Sequence, residues 1–168
     1  MFRDTFDRTA SSSLGTGWLE RKGDLAISGN KLQGTASGVN LAGWAQGAAL
    51  NVAVVANVDL TGPATQVGLV ARYTEPGSYY EGRLTRNLDG TVTAAIYRVT
   101  NGVATLRASA KWSGGVGQVR FEVSGSSLNL LYQGQTLSVT DTLFGGPGLV
   151  GVAMSTSVFV DNFTVTAL

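Results

Sequence analysis

Aromatic and charged side chains alternate along one stretch of the chain, where Tyr79, Glu81 and Arg83 occupy every second position. Residues two apart in a β-strand lie on the same face, so these three side chains are predicted to project together. Flat aromatic rings stack on the C–H faces of sugars, and guanidinium and carboxylate groups bond to sugar hydroxyls. The spacing therefore predicts a carbohydrate-binding surface.

The strands around these residues extend the predicted surface. Period-two alternation from Val67 to Ala108, broken by turn residues such as Asn101-Gly102, predicts an antiparallel meander of four strands. Its core face is predicted to hold Val67, Leu69, Tyr80, Leu84, Val92, Ile96 and Leu106. Its solvent face is predicted to hold Arg72, Tyr79, Glu81, Arg83, Thr93, Tyr97, Thr105 and Arg107. Trp44 and Trp112 are predicted to lie in or near loops at its rim.

We expect the ligand-binding residues to come from this face and its rim: Arg72, Tyr79, Glu81, Arg83, Tyr97, Arg107, Trp112 and Trp44. The same pattern also fits an ordinary solvated sheet face, on which Glu81 pairs across strands with Arg72 or Arg107. The residue types alone leave both interpretations open.

Composition excludes several kinds of chemistry. The 168 residues contain no Cys and no His, which excludes thiolate and imidazole metal sites, Cys nucleophiles and Ser-His-Asp triads. Twelve Lys and Arg balance eleven Asp and Glu, and the basic residues are scattered, so no nucleic-acid partner is expected. The longest apolar run, from Ala48 to Val58, is too short to span a bilayer, so no membrane insertion is expected.

Strand signals continue through the second half of the chain. A dozen or so short strands separated by turns predict an all-β, two-sheet antiparallel β-sandwich. Neither a linker nor an internal repeat interrupts the sequence, so residues 1–168 are predicted to form one domain. The segment from Ala36 to Gly47 has the weakest strand pattern and is predicted to be a long surface loop.

Short motifs in a fixed order carry a resemblance over nearly the whole chain. They are Phe2-Arg3-Asp4-Thr5-Phe6-Asp7-Arg8, Leu14-Gly15-Thr16-Gly17-Trp18, Gly68-Leu69-Val70-Ala71-Arg72-Tyr73, Tyr79-Tyr80, Val119-Arg120-Phe121-Glu122-Val123-Ser124-Gly125 and Val160-Asp161-Asn162-Phe163. The chain resembles the bacterial laminin-G-like modules of the concanavalin A-like lectin/glucanase superfamily. The resemblance implies a jelly roll, an extracellular or cell-surface location, and attachment to glycan-active or surface proteins.

The resemblance also implies one structural Ca²⁺ between the first and last strands. Ca²⁺ takes six to eight hard oxygen ligands, many of them backbone carbonyls. Asp161 in the closing motif, and Asp4 or Asp7 in the opening motif, occupy the matching places. The alternative is that these residues cap a bulge or pair with Arg3 or Arg8.

Catalysis ranks third among the expected functions. The Glu-x-Asp-x-x-Glu pattern of the related glucanases is absent, and a Glu81–Glu122 pair across strands has no support in the sequence. Tyr79, Arg83 and Tyr97 resemble part of a polysaccharide-lyase site, yet the His that such sites typically add is missing. The first expectation is a non-catalytic, lectin-like module for a polysaccharide. The second is a structural or adhesive domain with protein neighbours in a surface, appendage or phage assembly.

Overall fold

The computed structural model describes residues 2–168, and these form β-strands and turns without any helix. No segment of this part of the chain is a helix long and apolar enough to cross a membrane. The strands are β1 Phe2–Asp4, β2 Trp18–Lys22, β3 Leu25–Ser28, β4 Lys31–Gly34, β5 Asn40–Ala49, β6 Val52–Asp59, β7 Gln66–Thr74, β8 Ser78–Arg86, β9 Val92–Thr100, β10 Val103–Trp112, β11 Val116–Ser124, β12 Ser127–Tyr132, β13 Gln135–Thr140, β14 Gly148–Met154 and β15 Phe159–Ala167.

Two antiparallel sheets pack face to face. One has seven strands in the order β10-β9-β8-β7-β14-β5-β2, and the other has eight, in the order β13-β12-β11-β6-β15-β4-β3 with β1 added on β15. The consecutive strands β7 to β10 form the meander that alternation predicted. The prediction of an all-β, two-sheet sandwich is therefore confirmed.

The core lies between the sheets and is built from alternating apolar residues of both. Tyr80, Leu84 and Ile96 from the seven-stranded sheet are fully buried beside Phe121 and Leu130 from the eight-stranded sheet. A methyl group on Gly82 would lie 2.5 Å from the Phe121 ring, so the sheets meet here at a distance that only glycine permits. Residues on either side of Gly82 in β8 must consequently point away from the core.

The predicted loop at Ala36–Gly47 is wrong, because β5 runs through most of it from Asn40 to Ala49. Strand β5 pairs with β14 and β2, and its small residues allow these backbones to approach closely. A Cβ on Gly151 of β14, for example, would collide with the Ala42 carbonyl of β5. Strand propensity is low for such residues, so the pairing is set by tertiary fit instead.

Irregular pairing reverses the predicted faces at two places. In β7 the register shifts between Ala71 and Thr74, and Arg72 adopts a positive φ of 54°. In β10 the register shifts between Leu106 and Ala108. A bulge puts the side chains before it out of phase with those after it. Leu106, which alternation places in the core, lies just before the shift in β10, out of phase with the residues after it, and is 51% exposed on the outside.

Candidate functional site

We define the outer face as the side of the seven-stranded sheet that is turned away from the eight-stranded sheet. It is not an open polar surface, since its centre carries a second apolar cluster with its own buried side chains. The cluster consists of Leu41, Val70, Tyr73, Tyr79, Val99 and Ala153. The polar residues of the outer face lie beside this cluster, in a partly desolvated environment.

Glu81, Arg83 and Tyr97 form a layered array on the outer face. Arg83 donates two hydrogen bonds to the Glu81 carboxylate, from Nε to Oε1 at 2.9 Å and from Nη2 to Oε2 at 2.7 Å. The Arg83 guanidinium lies 4.2 Å from the centre of the Tyr97 ring. Such a fork-to-carboxylate pair with a stacked ring has a defined geometry before any ligand arrives.

Gly68 makes room for this array on the neighbouring strand β7. Gly68 pairs with Arg83, and a Cβ at Gly68 would overlap the Glu81 carboxylate. The carboxylate therefore lies over the backbone of β7, and the Glu81 residue is only 2% exposed. Any side chain at position 68 would displace it.

A groove of about 250 Å³ runs beside the array and is lined by side chains of β2, β5 and the meander. Two of its lining residues, Tyr73 and Tyr79, stack with ring centroids 5.7 Å apart. Arg21 covers the Tyr73 ring and forms an ion pair with Glu75 at 2.8 Å. The groove thus combines aromatic walls with charged rims, which is the combination that sugar recognition requires.

The environment of the outer face shifts the pKa of two of its groups. Burial, with a smaller contribution from the nearby Glu81 charge, raises the pKa of the Tyr79 hydroxyl to about 12. Burial lowers the pKa of the Arg83 guanidinium, but the bonds and charge of Glu81 outweigh burial, so the net pKa rises. At neutral pH, Tyr79 is therefore a neutral hydroxyl and Arg83 a permanent cation.

Of the eight predicted ligand-binding residues, the structure brings four together on the outer face: Tyr79, Glu81, Arg83 and Tyr97. The prediction that Arg72 faces solvent is wrong. The bulge turns Arg72 into the interior, where the residue is 1% exposed. Its Nε and Nη1 donate to the backbone carbonyls of Leu50 and Phe144 at 2.8 and 2.6 Å.

The two tryptophans do not rim this face either. Trp112 is 7% exposed in the main core and stacks near Tyr132. Trp44 lies on the inner side of its sheet and stacks on Phe2 with ring centroids 3.6 Å apart. The prediction that these tryptophans lie in loops at the rim is therefore wrong. Trp44 lies within β5 and Trp112 ends β10, because these strands cover residues that alternation did not identify as strand.

Arg107 is also misplaced by the prediction. It sits at the irregularity in β10 and forms an ion pair with Asp141, at 2.8 Å between Nε and Oδ2. Asp141 also accepts a hydrogen bond from the core residue Tyr80, so this contact lies on the inner side of the sheet. Arg107 therefore belongs to a different cluster from Arg83.

Sequence reasoning missed part of the groove. Regular alternation from Val67 and Leu69 would place Tyr73 on the core face, but the bulge at Arg72 moves it outward beside Tyr79. Arg21, Lys22 and Leu41 come from β2 and β5, which were not predicted as strands. Gly148 provides the space for the bulge, since a Cβ there would collide with the Arg72 backbone. No local signal in the sequence marks that contact.

The three predicted calcium ligands do not form one cluster. Asp4 accepts hydrogen bonds from Arg8, from the Trp18 indole and from the Phe6 amide. Burial raises the pKa of Asp4, but these partners outweigh it, and the net pKa is lowered. Asp161 bonds to its neighbour Asn162, and residues 2–168 contain no group of three acidic side chains arranged to hold a metal. The three carboxylates therefore do not share one calcium site, and an ion beside Asp161 would take its other ligands from backbone carbonyls.

Glu81 and Glu122 lie on opposite sides of the molecule. Glu122 alternates with the buried residues Phe121 and Val123, so it lies on the outer side of the eight-stranded sheet. There it accepts a hydrogen bond from Arg120 at 2.6 Å. The two glutamates therefore do not form the carboxylate pair that a glycosidase places on either side of one bond.

No protein-family model matches this chain, and no curated protein sequence matches it. Solved structures do match it. The carbohydrate-binding module CBM66 from Bacillus subtilis has a TM-score of 0.79 and 16% identity, over 90% of this chain and 96% of that chain. The β-glucanase of Bacillus licheniformis has a TM-score of 0.62 and 12% identity, over 98% of this chain and 95% of that one.

A further similar structure is much longer than this chain. The GH43 BlXynB protein of Bacillus licheniformis matches with a TM-score of 0.71 and 15% identity, over 99% of this chain but only 39% of that one. At such identities, likeness establishes the fold and nothing finer. The chain has the concanavalin A-like jelly-roll sandwich fold, as the resemblance implied.

Proposed function

We propose that the chain is a non-catalytic carbohydrate-binding module that holds a polysaccharide on the outer face of its seven-stranded sheet. The observation that carries the proposal is the stacked array of Glu81, Arg83 and Tyr97 beside the groove of Tyr73 and Tyr79. The array holds its donors and acceptors in place before binding, which lowers the ordering cost of association. The structural neighbour CBM66 is itself described as a carbohydrate-binding module.

The proposal is tested by a binding screen of the purified chain against a panel of soluble and insoluble polysaccharides, with and without calcium. We expect one class of polysaccharide to retain the protein, and Tyr97→Ala to abolish the retention. The half-buried Tyr97 ring lies against Arg83 in the array, so its removal is expected to change the free energy of unfolding by about 1 kcal/mol or less. Arg83→Ala is a poorer test, because it leaves the buried Glu81 carboxylate without its partner.

Phe159→Ala is the matched control. Phe159 is also a half-buried ring under a cation, since the Lys31 ammonium lies 5.8 Å from its centre, but it belongs to the eight-stranded sheet. Retention should survive this change. Retention that persists in Tyr97→Ala, or is lost equally in both variants, contradicts the proposed site. A panel without any binding contradicts the function itself.

The second candidate function is a structural or adhesive module with neighbouring domains as partners. The observation that favours it is the apolar exposure of strand β10 at the edge of its sheet, where Val103 is 69% exposed and Leu106 is 51% exposed. Exposed apolar side chains on an edge strand are typical of surfaces that become covered. A negative polysaccharide panel together with a tight interaction with an adjoining domain would favour this function.

The finer expectations belong to the same proposal: a laminin-G-like subtype, a bacterial source, an extracellular or cell-surface location, and one structural calcium ion. For calcium the test is thermal unfolding. If Ca²⁺ binds beside Asp161, chelator lowers the melting temperature, and Asp161→Ala removes the difference. A melting temperature that is unchanged by chelator contradicts the calcium expectation.

A further inference from the structure

Two arginines surround one buried aspartate at the edge where β9 and β10 approach the end of β13. Asp141 follows β13 directly, and its side chain is 1% exposed. Its Oδ2 lies 3.1 Å from Arg98 Nη1 and 2.8 Å from Arg107 Nε. Its Oδ1 accepts hydrogen bonds from the Tyr80 hydroxyl at 2.8 Å and from the Leu143 amide at 3.0 Å. Three hydrogen bonds and the ion pair with Arg107 therefore hold the carboxylate.

The cluster has more positive charge and more donors than the aspartate can use. Two guanidinium groups against one carboxylate leave a formal charge of +1. Arg98 Nε is buried without a hydrogen-bond partner. Arg107 pairs with Asp141 through its Nε, and its side chain is 32% exposed. A guanidinium has five N–H donors, so both arginines keep unused ones, and a buried unused donor is costly.

The two arginines line a cleft of about 360 Å³ that opens at the edge of the sandwich. Its lining residues are Arg98, Arg107, Thr140, Asp141, Thr142 and Leu143. Two threonine hydroxyls thus stand beside the two guanidiniums and can serve as donors or acceptors for sugar hydroxyls. The cleft is on the inner side of the seven-stranded sheet, whereas Tyr97 and Arg83 are on the outer face.

We infer that this cleft is an oxyanion site that binds the carboxylate or sulfate group of an acidic sugar. Arginine forks match the geometry of such oxyanions, and charge-assisted bonds to them are about twice as strong as neutral ones. An oxyanion placed here would neutralise the extra charge and accept hydrogen bonds from guanidinium N–H groups that Asp141 leaves unused. The inference goes beyond the proposed polysaccharide site, and neither depends on the other.

The test follows the arginine Nε–Hε signals of the ¹⁵N-labelled chain during titration with sodium glucuronate, with sodium sulfate, and with glucose. We expect glucuronate and sulfate to shift the Arg98 and Arg107 signals, and glucose to leave them unchanged. Equal affinities for glucuronate and sulfate would mean that the cleft recognises the oxyanion alone. Tighter binding of glucuronate would mean that the cleft also contacts the sugar ring. Either result supports the inference.

Arg107→Gln should weaken glucuronate binding at least tenfold, because Arg98 still holds Asp141 while one charge and one fork are lost. Should this variant not fold, Arg107→Lys keeps the charge but removes the fork, and a several-fold loss is expected. Arg120→Gln is the matched control, since Arg120 is a similarly exposed arginine, paired with Glu122 on the other sheet. Its affinity should equal that of the wild type.

The inference is overturned if neither oxyanion moves the two signals, or if Arg120→Gln weakens binding as much as Arg107→Gln does. Tyr97→Ala separates the two proposals. It removes the outer-face array and should leave the oxyanion titration unchanged. A negative polysaccharide screen would therefore contradict the outer-face proposal without contradicting the oxyanion site in the cleft.

Discussion

The seven-stranded sheet carries an arginine–carboxylate cluster on each side, and the two clusters are built differently. On the outer face, Glu81 and Arg83 are two residues apart in β8 and balance each other with two direct hydrogen bonds. On the inner side, Asp141 comes from the end of the other sheet and meets Arg98 and Arg107 from two strands. One cluster is local and neutral; the other is non-local and positive.

The difference separates what each cluster does for the molecule. The outer pair lies within one strand, so it adds little to the attachment of one sheet to the other. The inner cluster joins the segment after β13 to β8, β9 and β10, and thereby links the edges of the two sheets. We therefore expect changes to the inner cluster to affect stability most, and changes to the outer array to affect binding most.

The largest effect on stability is expected from Asp141→Asn. The substitution keeps the shape of the side chain but leaves two guanidiniums close together without a counter-charge. Breaking a buried ion pair by removing one partner typically costs about 3 kcal/mol or more. Urea unfolding of the variant should show this loss in the free energy of unfolding.

Asp89→Asn is the control for that measurement. Asp89 pairs with Lys111 at 2.7 Å, but both side chains are more than half exposed. Exposed ion pairs are worth about 1 kcal/mol or less. Equal losses in the two aspartate variants would show that the inner cluster does not link the sheets in the way described.

The next largest effect should come from Gly68→Ala. The added methyl group would occupy the place of the Glu81 carboxylate and force it, with Arg83, out of the array. Overpacking of this kind costs about 1–3 kcal/mol. Here we also expect polysaccharide retention to be lost, which links the geometry of the array to binding.

Gly146→Ala controls for the change of residue type, because a Cβ at Gly146 meets no atom within 4 Å and its φ is not in the left-handed region. Stability and retention should both stay close to those of the wild type. If Gly68→Ala keeps full retention, the position of Glu81 over β7 does not matter for the ligand.

The two clusters also differ in how far the sequence predicts them. Glu81 and Arg83 are visible as an i, i+2 pattern because a strand places such residues side by side. Asp141 lies in a turn region far from its arginines in sequence, so no spacing reveals the cluster. Arg107 was predicted on the wrong side of the sheet because no residue type in β10 marks the register shift beside it. Arg72 was misassigned for the same reason, at the register shift in β7.

Most of the fold could be predicted, because the meander and the second half of the chain alternate regularly. Strand β5 could not, since its run of small residues has weak strand propensity and is held by close pairing with β14. The groove is lined partly by β5 and β2, so the roles of Arg21 and Leu41 in it could not be predicted either. Local pattern therefore predicts the strands, and long-range contacts decide which faces meet.

A smaller effect is expected at acid pH, where the stability that the inner cluster contributes through Asp141 should be lost. Burial raises the pKa of Asp141, but the Leu143 amide, Tyr80 and the two arginines outweigh it and lower the net value. A carboxyl with a lowered folded-state pKa stabilises the fold above its unfolded pKa of about 3.9, and this stability is lost as pH falls through the folded value. Urea unfolding from pH 5 to pH 2 should therefore show a smaller drop for Asp141→Asn than for the wild type. Equal drops contradict this account.

The smallest effect is expected at alkaline pH on the outer face. Burial, and then the Glu81 charge, raises the pKa of Tyr79 to about 12, whereas an unfolded tyrosine titrates near 10. The stability that neutral Tyr79 supports is present below pH 10 and is lost as pH rises towards 12, because the unfolded chain ionises first.

Tyr79→Phe should unfold like the wild type at pH 7, within about 0.5 kcal/mol, but lose less stability between pH 10 and 12. The two proteins differ only in the hydroxyl of Tyr79, so the difference between their curves isolates that group. Identical alkaline curves would mean that Tyr79 is as well solvated in the folded chain as in the unfolded one, and the outer face would then be wetter than its buried cluster implies.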